Sequence, residues 1–177
     1  EEISHDLVQG CPISEYCNAI EGLPYSSYLA WNCKYLEHNS YRPLDWRNRI
    51  ASDKIDSLAP GQVFVFGSNL EGKHIGGAAY AAHHRFGAVW GKGEGHFGQS
   101  YAIPTMHGGI EEIRPYVKRF FEYAGQQTEL TFLVTRIGCG IAGFKASEIA
   151  PLFRSAYLTA NVHLPKEFWE ILEDRGY

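Results

Sequence analysis

The stretch LTFLVTRIGCGIAGF at residues 130–144 decides how the rest of the chain is interpreted. Its first part is a compact apolar run with β-branched and aromatic residues, which is typical of a strand buried on both faces. The part that follows contains three glycines in GxGxxG spacing: Gly138, Gly140 and Gly143. Three interpretations compete: a dinucleotide-binding fingerprint, a nucleophilic cysteine in a tight turn, and a glycine-rich bend that binds nothing.

A dinucleotide-binding fold also needs an Asp or Glu about twenty residues further on, at the end of the next strand, to hold the ribose. In this chain that position falls at residues 161–164, where the sequence NVHL contains no acid. The sequence therefore disfavours a hydride-transferring enzyme. The glycines still allow a tight turn that exposes successive N–H groups to an anion.

A second glycine loop follows the other strong strand candidate, QVFVFG at residues 62–67. It reads SNLEGKHIGGAAYAA at residues 68–82, where the glycines lead into a predicted helix rich in alanine. In open α/β sheets ligands bind outside the carboxyl ends of the strands, where both loops should emerge. We therefore expect the two loops to converge, each holding one phosphate of a diphosphate.

The distribution of glycine divides the chain into two predicted regions. Sixteen of the nineteen glycines lie between Gly61 and Gly143. Residues 1–60 are predicted to form a helical extension, with helices beginning near Pro24 and Asp45. Residues 61–177 are predicted to form an α/β domain, in which a mixed, largely parallel sheet lies between two layers of helices. The predicted strands are 62–67, 100–105, 130–136 and 160–165, and the predicted helices are 76–86, 111–124, 146–159 and 165–174.

Bulk properties narrow the class of protein. The 177 residues carry a formal net charge of −4, which argues against an extended nucleic-acid surface. No run of 18 apolar residues and no signal sequence is visible, so we expect a cytoplasmic protein without a membrane span. The four cysteines match no common zinc pattern, and we expect neither metal nor cofactor. An N-terminal metal set made of Cys11, Cys17, Cys33 and a nearby histidine remains the alternative.

Taken together, the motifs resemble those of the macro domain, a family that binds ADP-ribose. The matching pieces are Asn69 with the GGAA of residues 76–79, the GQSYAIP of residues 98–104, and the GCGIAGF of residues 138–144. The resemblance covers about residues 61–165 and implies a divergent, macro-like α/β fold. The chain lacks the Gly-Asp-Ile-type turn whose Asp contacts adenine in that family, since residues 55–62 read IDSLAPGQ.

The resemblance implies a ligand, ADP-ribose or a related nucleotide diphosphate, and as a partner an ADP-ribosylated protein. Residues 140–144 would embrace the diphosphate with Phe144 near the distal ribose, residues 76 and 77 would form the opposing phosphate loop, and Asn69 would meet the ribose hydroxyls. The predicted ligand-binding residues are Gly76, Gly77, Ala78, Gln99, Ser100, Arg136, Gly138, Cys139, Gly140, Ile141, Ala142, Gly143 and Phe144.

The resemblance further implies hydrolysis of an ADP-ribosyl or O-acetyl ester bond by a positioned water. The candidate catalytic residues are Asn69 and His74, followed by Glu94. An ordinary loop histidine and a solvated glutamate are the alternatives. Cys139 is a candidate nucleophile if a helix N-terminus lowers the pKa of its thiol, and otherwise a small buried cysteine. A non-catalytic recognition module and an interaction protein with empty loops remain open.

Overall fold

A computed structural model describes residues 45–176. Six strands form a single mixed sheet in the order β1-β6-β5-β2-β4-β3. The pairing is parallel throughout, except that β3 runs antiparallel to β4. The strands are β1 (Ile50–Ala51), β2 (Gln62–Ser68), β3 (Gly95–Phe97), β4 (Ser100–Pro104), β5 (Thr131–Val134) and β6 (Val162–Pro165).

Residues 45–176 also form four α-helices and one 3₁₀ helix, and all of them except the last α-helix lie between strands. They are α1 (Gly77–Arg85), α2 (Ile110–Gln126), α3 (Ala146–Ile149), the 3₁₀ helix Ala150–Leu158 that continues α3, and α4 (Lys166–Asp174). Helix α2 shows how the sequence specifies such an element. Its residues Ile113, Val117, Phe120 and Ala124 recur on one face and are buried, and Glu112 accepts a hydrogen bond from the Gly109 N–H at its start.

The central strand β2 separates two apolar clusters. Val63 and Val65 belong to the larger cluster, which includes residues of α2, the 3₁₀ helix and α4. Phe64 and Phe66 belong to the smaller cluster, which includes Ala79 and other residues of α1. Because successive side chains of a strand point to opposite faces, these two clusters mark the two sides of the sheet. The predicted α/β class with a mixed sheet is confirmed.

The helix predicted from Asp45 is wrong. Residues 45–58 contain no helix, and residues 50–51 form β1, which pairs with β6. The apolar spacing of Trp46, Ile50 and Ile55 imitates a helical period, but residues 50 and 51 pair as a strand with residues more than a hundred positions away. The boundary predicted at residue 60 falls between β1 and β2, which belong to the same sheet. The helix predicted from Pro24 and the N-terminal cysteines lie outside the described residues.

Two further differences have local causes. The predicted helix at 146–159 is α-helical only to residue 149 and continues as a 3₁₀ helix. Pro151, near the start of the 3₁₀ segment, has no N–H to continue the α-helical ladder. Strand β3 was not predicted because its three residues, GHF, lie in a glycine-rich stretch without a strand pattern.

Candidate functional site

A cavity of about 340 Å³ opens at the carboxyl ends of β2, β4 and β5. Four chain segments line it: the residues after β2, the start of α1, the residues after β4 and the glycine loop after β5. The lining residues are Gly67, Ser68, Asn69, Lys73, Ile75, Gly76, Gly77, Ala78, Ala79, Thr105, Met106, Thr135, Arg136, Ile137, Gly138, Gly140, Ile141 and Ala142. The convergence of the two predicted glycine loops is therefore present in the structure.

The two loops approach each other closely across this cavity. A Cβ atom placed on Gly76 would lie 3.2 Å from Cδ1 of Ile141, and one placed on Gly77 would lie 4.0 Å from the same atom. Gly77 has a φ of 57°, in the left-handed region that favours glycine, so the turn into α1 depends on this residue. A larger residue at position 76 would press directly on the opposite loop.

In the first loop, residues that line the cavity have unused backbone N–H groups. Helix α1 has no side-chain cap, and its hydrogen-bond ladder begins with Tyr80 N–H donating to the Gly76 carbonyl. The N–H groups of Gly77, Ala78 and Ala79, in the first turn, have no intrahelical acceptor. Together with the positive end of the helix dipole, they favour a negatively charged ligand.

The second loop offers a similar set. Gly143 N–H donates to the Gly140 carbonyl and Phe144 N–H to the Gly138 carbonyl, which closes the turn. Within residues 45–176, the N–H groups of residues 140, 141 and 142 donate to no acceptor. Successive unused N–H groups in a tight turn form an anion-binding concavity.

Gly138 shapes this second loop through packing. Its φ is 74°, and a Cβ atom at this position would lie 2.9 Å from Cδ1 of Ile149. The backbone therefore packs directly on α3, which holds the loop against the helix. The glycine at position 138 is needed for close packing, whereas Gly140 has open space around it.

Two cationic side chains line the cavity, and each is paired with a carboxylate. Arg136 Nη2 lies 2.6 Å from Oε2 of Glu167, and the Lys73 ammonium contacts Glu71. All four side chains are about half exposed or more, so both pairs are held weakly and can exchange partners. An anion entering the cavity would meet both cations.

Asn69 lines the cavity, but its amide is occupied by the backbone of its own loop. Its Nδ2 donates to the Lys73 carbonyl at 2.8 Å, and its Oδ1 accepts from the Lys73 N–H at 2.9 Å. The side chain thus closes the turn of residues 69–73 and positions Lys73. In this conformation both ends of the Asn69 amide bind the Lys73 backbone.

The other predicted catalytic residues do not line the cavity. His74 is 1% exposed, and its Nε2 lies 3.1 Å from the Val89 carbonyl, on the side of the loop away from the cavity lining. Glu94 forms a two-point ion pair with Arg119 of α2. The three candidates Asn69, His74 and Glu94 therefore do not assemble into one catalytic group.

Two predicted ligand-binding residues lie at the far end of β4. Gln99 Nε2 donates to the carbonyls of Ala59 and Gln62, and Ser100 Oγ donates to the Phe97 carbonyl. Ser100 is the first residue of β4, whereas the cavity opens beyond Pro104, the last residue of that strand. At the usual rise per residue, Ser100 and Pro104 are about 13 Å apart along the strand. Both side chains connect strands and turns away from the cavity.

Cys139, Gly143 and Phe144 belong to the second loop without lining the cavity. Cys139 and Phe144 pack against the larger apolar cluster. Burial raises the pKa of the Cys139 thiol, an effect that Arg136 only partly offsets. A thiol with a raised pKa is a poor nucleophile at neutral pH, so the structure gives no support to a covalent mechanism at Cys139.

Sequence analysis missed several lining residues. Lys73 and Ile75 lie in the first glycine loop, which the sequence analysis identified. Their position next to the glycines of that loop could have indicated that they line the cavity. Thr105 and Met106 directly follow β4, so the reasoning about carboxyl ends of strands applied to them as well. Three apolar side chains at this cavity are unusually exposed: Ile75 at 71%, Ile141 at 72% and Met106 at 50%. They offer an apolar rim beside the N–H groups.

Across residues 45–176, no helix has both the length and the apolar character that a membrane crossing needs. Within the same residues, no group of three or more histidine, cysteine, aspartate or glutamate side chains is arranged to hold a metal ion. Comparisons of the chain with protein-family models, with curated proteins and with solved structures find no match.

Proposed function

We propose that the cavity binds ADP-ribose or a related nucleotide diphosphate and that the protein acts as a recognition module for it. The observation that carries this proposal is the convergence of two sets of unused N–H groups, those of residues 77–79 and 140–142, on one cavity. Two such sets, one from each loop, match the two negative groups of a diphosphate. The order of motifs that resembles the macro domain supports the choice of ADP-ribose.

The surroundings of the N–H groups support the same ligand class. Arg136 and Lys73, which both line the cavity, add positive charge, so that a doubly negative group is favoured. The exposed side chains of Ile75, Met106 and Ile141 would pack against the less polar faces of a ribose or a base. A ligand with a diphosphate and attached sugars fits this combination better than inorganic phosphate alone.

Binding is better supported than hydrolysis. Among the described residues that line the cavity there is no carboxylate, imidazole or thiol. Of the predicted catalytic residues, Asn69 lines the cavity, and both ends of its amide form hydrogen bonds with the Lys73 backbone. Hydrolysis would therefore have to rely on water held by the ligand itself and by backbone groups, so recognition is the primary proposal.

Calorimetric titration with ADP-ribose tests the proposal directly, with AMP and inorganic phosphate as comparison ligands. ADP-ribose should bind most tightly, and at a hundred times its dissociation constant it should stabilise the protein by about 2.7 kcal/mol. An interaction protein with empty loops would show no heat of binding and no thermal shift. Incubation with an ADP-ribosylated protein and with O-acetyl-ADP-ribose separates the two binding alternatives, because only a hydrolase releases product.

A further inference from the structure

We propose that His74 is a positioning residue that holds the phosphate loop of residues 75–79 in place only while its imidazole is neutral, so that anion binding in the cavity is lost on acidification. This inference rests on the proposed function of the cavity. It assigns to His74 a structural and regulatory part in place of the catalytic one expected from the sequence.

The imidazole is buried between the first glycine loop and the segment of residues 87–92. Its Nε2 lies 3.1 Å from the Val89 carbonyl, and since a carbonyl can only accept, Nε2 carries the proton. The ring packs edge-on against Phe66 at 5.4 Å and against Trp90 at 6.5 Å between centroids. Its Nδ1 is buried and has no hydrogen-bond partner within the described part of the chain.

His74 is the main side-chain anchor of its loop. In the segment 69–77, it is the one residue with a buried side chain, since the other buried residue is Gly72. A backbone hydrogen bond from Gly91 N–H to the Gly72 carbonyl makes a second link to the same neighbouring segment. Gly76, whose carbonyl starts the ladder of α1, is two residues further along the chain. Displacement of the imidazole would therefore move the N–H groups at the start of α1.

A charge on this ring would be poorly accommodated. From α1 the ring faces His83, at 6.0 Å between ring centroids, and from β2 it faces the apolar ring of Phe66. From residues 87–92 it faces Trp90 and the carbonyls of Val89 and Lys92. The charged groups of its own loop, Lys73 and Glu71, pair with each other at the surface.

Burial lowers the pKa of His74 from its ordinary value of 6.5; His83 adds to that shift, and the carbonyls of Val89 and Lys92 partly oppose it. The unfolded or released loop protonates near the ordinary value, whereas the packed loop protonates only at lower pH. The packed loop is thus fully favoured above about pH 6.5 and loses stability as the pH falls toward the lowered pKa. If only the packed loop binds the ligand, the apparent dissociation constant rises as the pH falls from about 6.5 toward the lowered pKa, by up to about tenfold per pH unit, and levels off below it.

The test compares ADP-ribose binding between about pH 5 and about pH 8 for the wild-type chain and for His74→Gln. The diphosphate of ADP-ribose keeps its charge over this range, so the ligand itself contributes no slope. Glutamine retains an N–H donor for the Val89 carbonyl but does not titrate. We expect wild-type affinity to fall by about tenfold between about pH 8 and about pH 5, and His74→Gln, whatever its affinity at about pH 8, to show a nearly flat profile. His84→Gln, on the exposed side of α1, is the matched control and should keep the wild-type slope.

A flat wild-type profile, or the same slope in His74→Gln, would overturn the inference. If ADP-ribose does not bind at any pH, the proposed function fails, and hydrogen exchange still decides the question for His74. The Gly91 amide, which donates to the Gly72 carbonyl, should then lose protection on acidification while the Thr131 amide, which donates to the Gly61 carbonyl, keeps it. Equal behaviour of the two amides would overturn the inference. This measurement uses the wild-type chain, so it does not depend on whether a variant folds.

Discussion

Ile141, on the loop after β5, lies directly over Gly76, at the start of α1: a Cβ atom on Gly76 would be 3.2 Å from Cδ1 of Ile141. The two residues are 65 positions apart in the chain. One lies in the loop that follows β2 and the other in the loop that follows β5, and these two strands pair in parallel. The carboxyl ends of β2 and β5 lie at one edge of the sheet, so the loops that leave them meet. The cavity between the loops is the consequence.

Replacement of Gly140 by alanine should separate ligand binding from stability. A Cβ atom at position 140 meets nothing within 4 Å, and its backbone is not in the left-handed region, so the melting temperature should not change. If a phosphate approaches the N–H groups of this loop, the added methyl group obstructs it, and affinity for ADP-ribose should fall about tenfold, which is about 1.4 kcal/mol. Calorimetric titration and thermal unfolding measure the two effects.

Gly125→Ala is the control for that substitution. Gly125 lies near the end of α2, also with nothing within 4 Å of the added Cβ. Because alanine favours a helix over glycine, this variant should be more stable by up to about 1 kcal/mol, with unchanged affinity. Unchanged affinity in Gly140→Ala would contradict a phosphate site at the second loop.

The pairing of Arg136 with Glu167 predicts that Glu167 competes with the ligand. Glu167→Gln should free Arg136 and tighten ADP-ribose binding about two- to threefold, whereas Arg136→Ala should weaken it about tenfold. Both changes should leave the free energy of unfolding within about 1 kcal/mol of the wild-type value, since exposed ion pairs stabilise proteins little. Glu170→Gln, in the exposed pair that Glu170 forms with Lys166, serves as control. Weaker binding in Glu167→Gln would show that Arg136 needs this carboxylate for its orientation.

Asn69→Ala tests whether Asn69 shapes the loop or contacts the ribose. Loss of its two hydrogen bonds to Lys73 should loosen the turn of residues 69–73 and cost about 1–2 kcal/mol of stability. Binding of ADP-ribose and of inorganic pyrophosphate should weaken by the same factor, because Lys73 is displaced in both cases. A defect confined to ADP-ribose would instead indicate a ribose contact. Comparison of the two dissociation constants for the variant and the wild type provides the measurement.

Arg49, just before β1, is expected to be a stability determinant away from the cavity. It is 6% exposed, its Nη1 donates to the carbonyls of Ala156 at 2.8 Å and Thr159 at 3.2 Å, and its guanidinium lies 4.9 Å from the ring centroid of Trp169. Arg49→Met leaves those carbonyls without this donor, so it should lower the free energy of unfolding by about 2–4 kcal/mol. Denaturant unfolding measures the loss. Arg47→Met, at a side chain that is 68% exposed, should change it by less than about 0.5 kcal/mol.

Strands β2 and β5 and helices α1, α2 and α4 were predictable because their signals are local. Short apolar runs of four to seven residues rich in β-branched and aromatic side chains are typical of a buried strand. The spacing of Ile113, Val117 and Phe120 specifies a helix with one buried face. The glycine loops were predictable as well, since each follows such a strand. Strand β1 was not, because its two residues are ordered by pairing with β6 and carry no period of their own.

The roles of individual side chains depended on the tertiary structure. Glycine spacing by itself determined that two flexible turns leave buried strands, and parallel pairing of those strands places them together. Contacts within the folded chain decide the roles of three predicted residues. They determine whether His74 points toward the cavity, whether the Asn69 amide is available to a ligand, and whether Glu94 pairs with Arg119. A sequence records which donors and acceptors exist, but only the folded chain determines which of them are already satisfied, and only those that remain are available to a ligand.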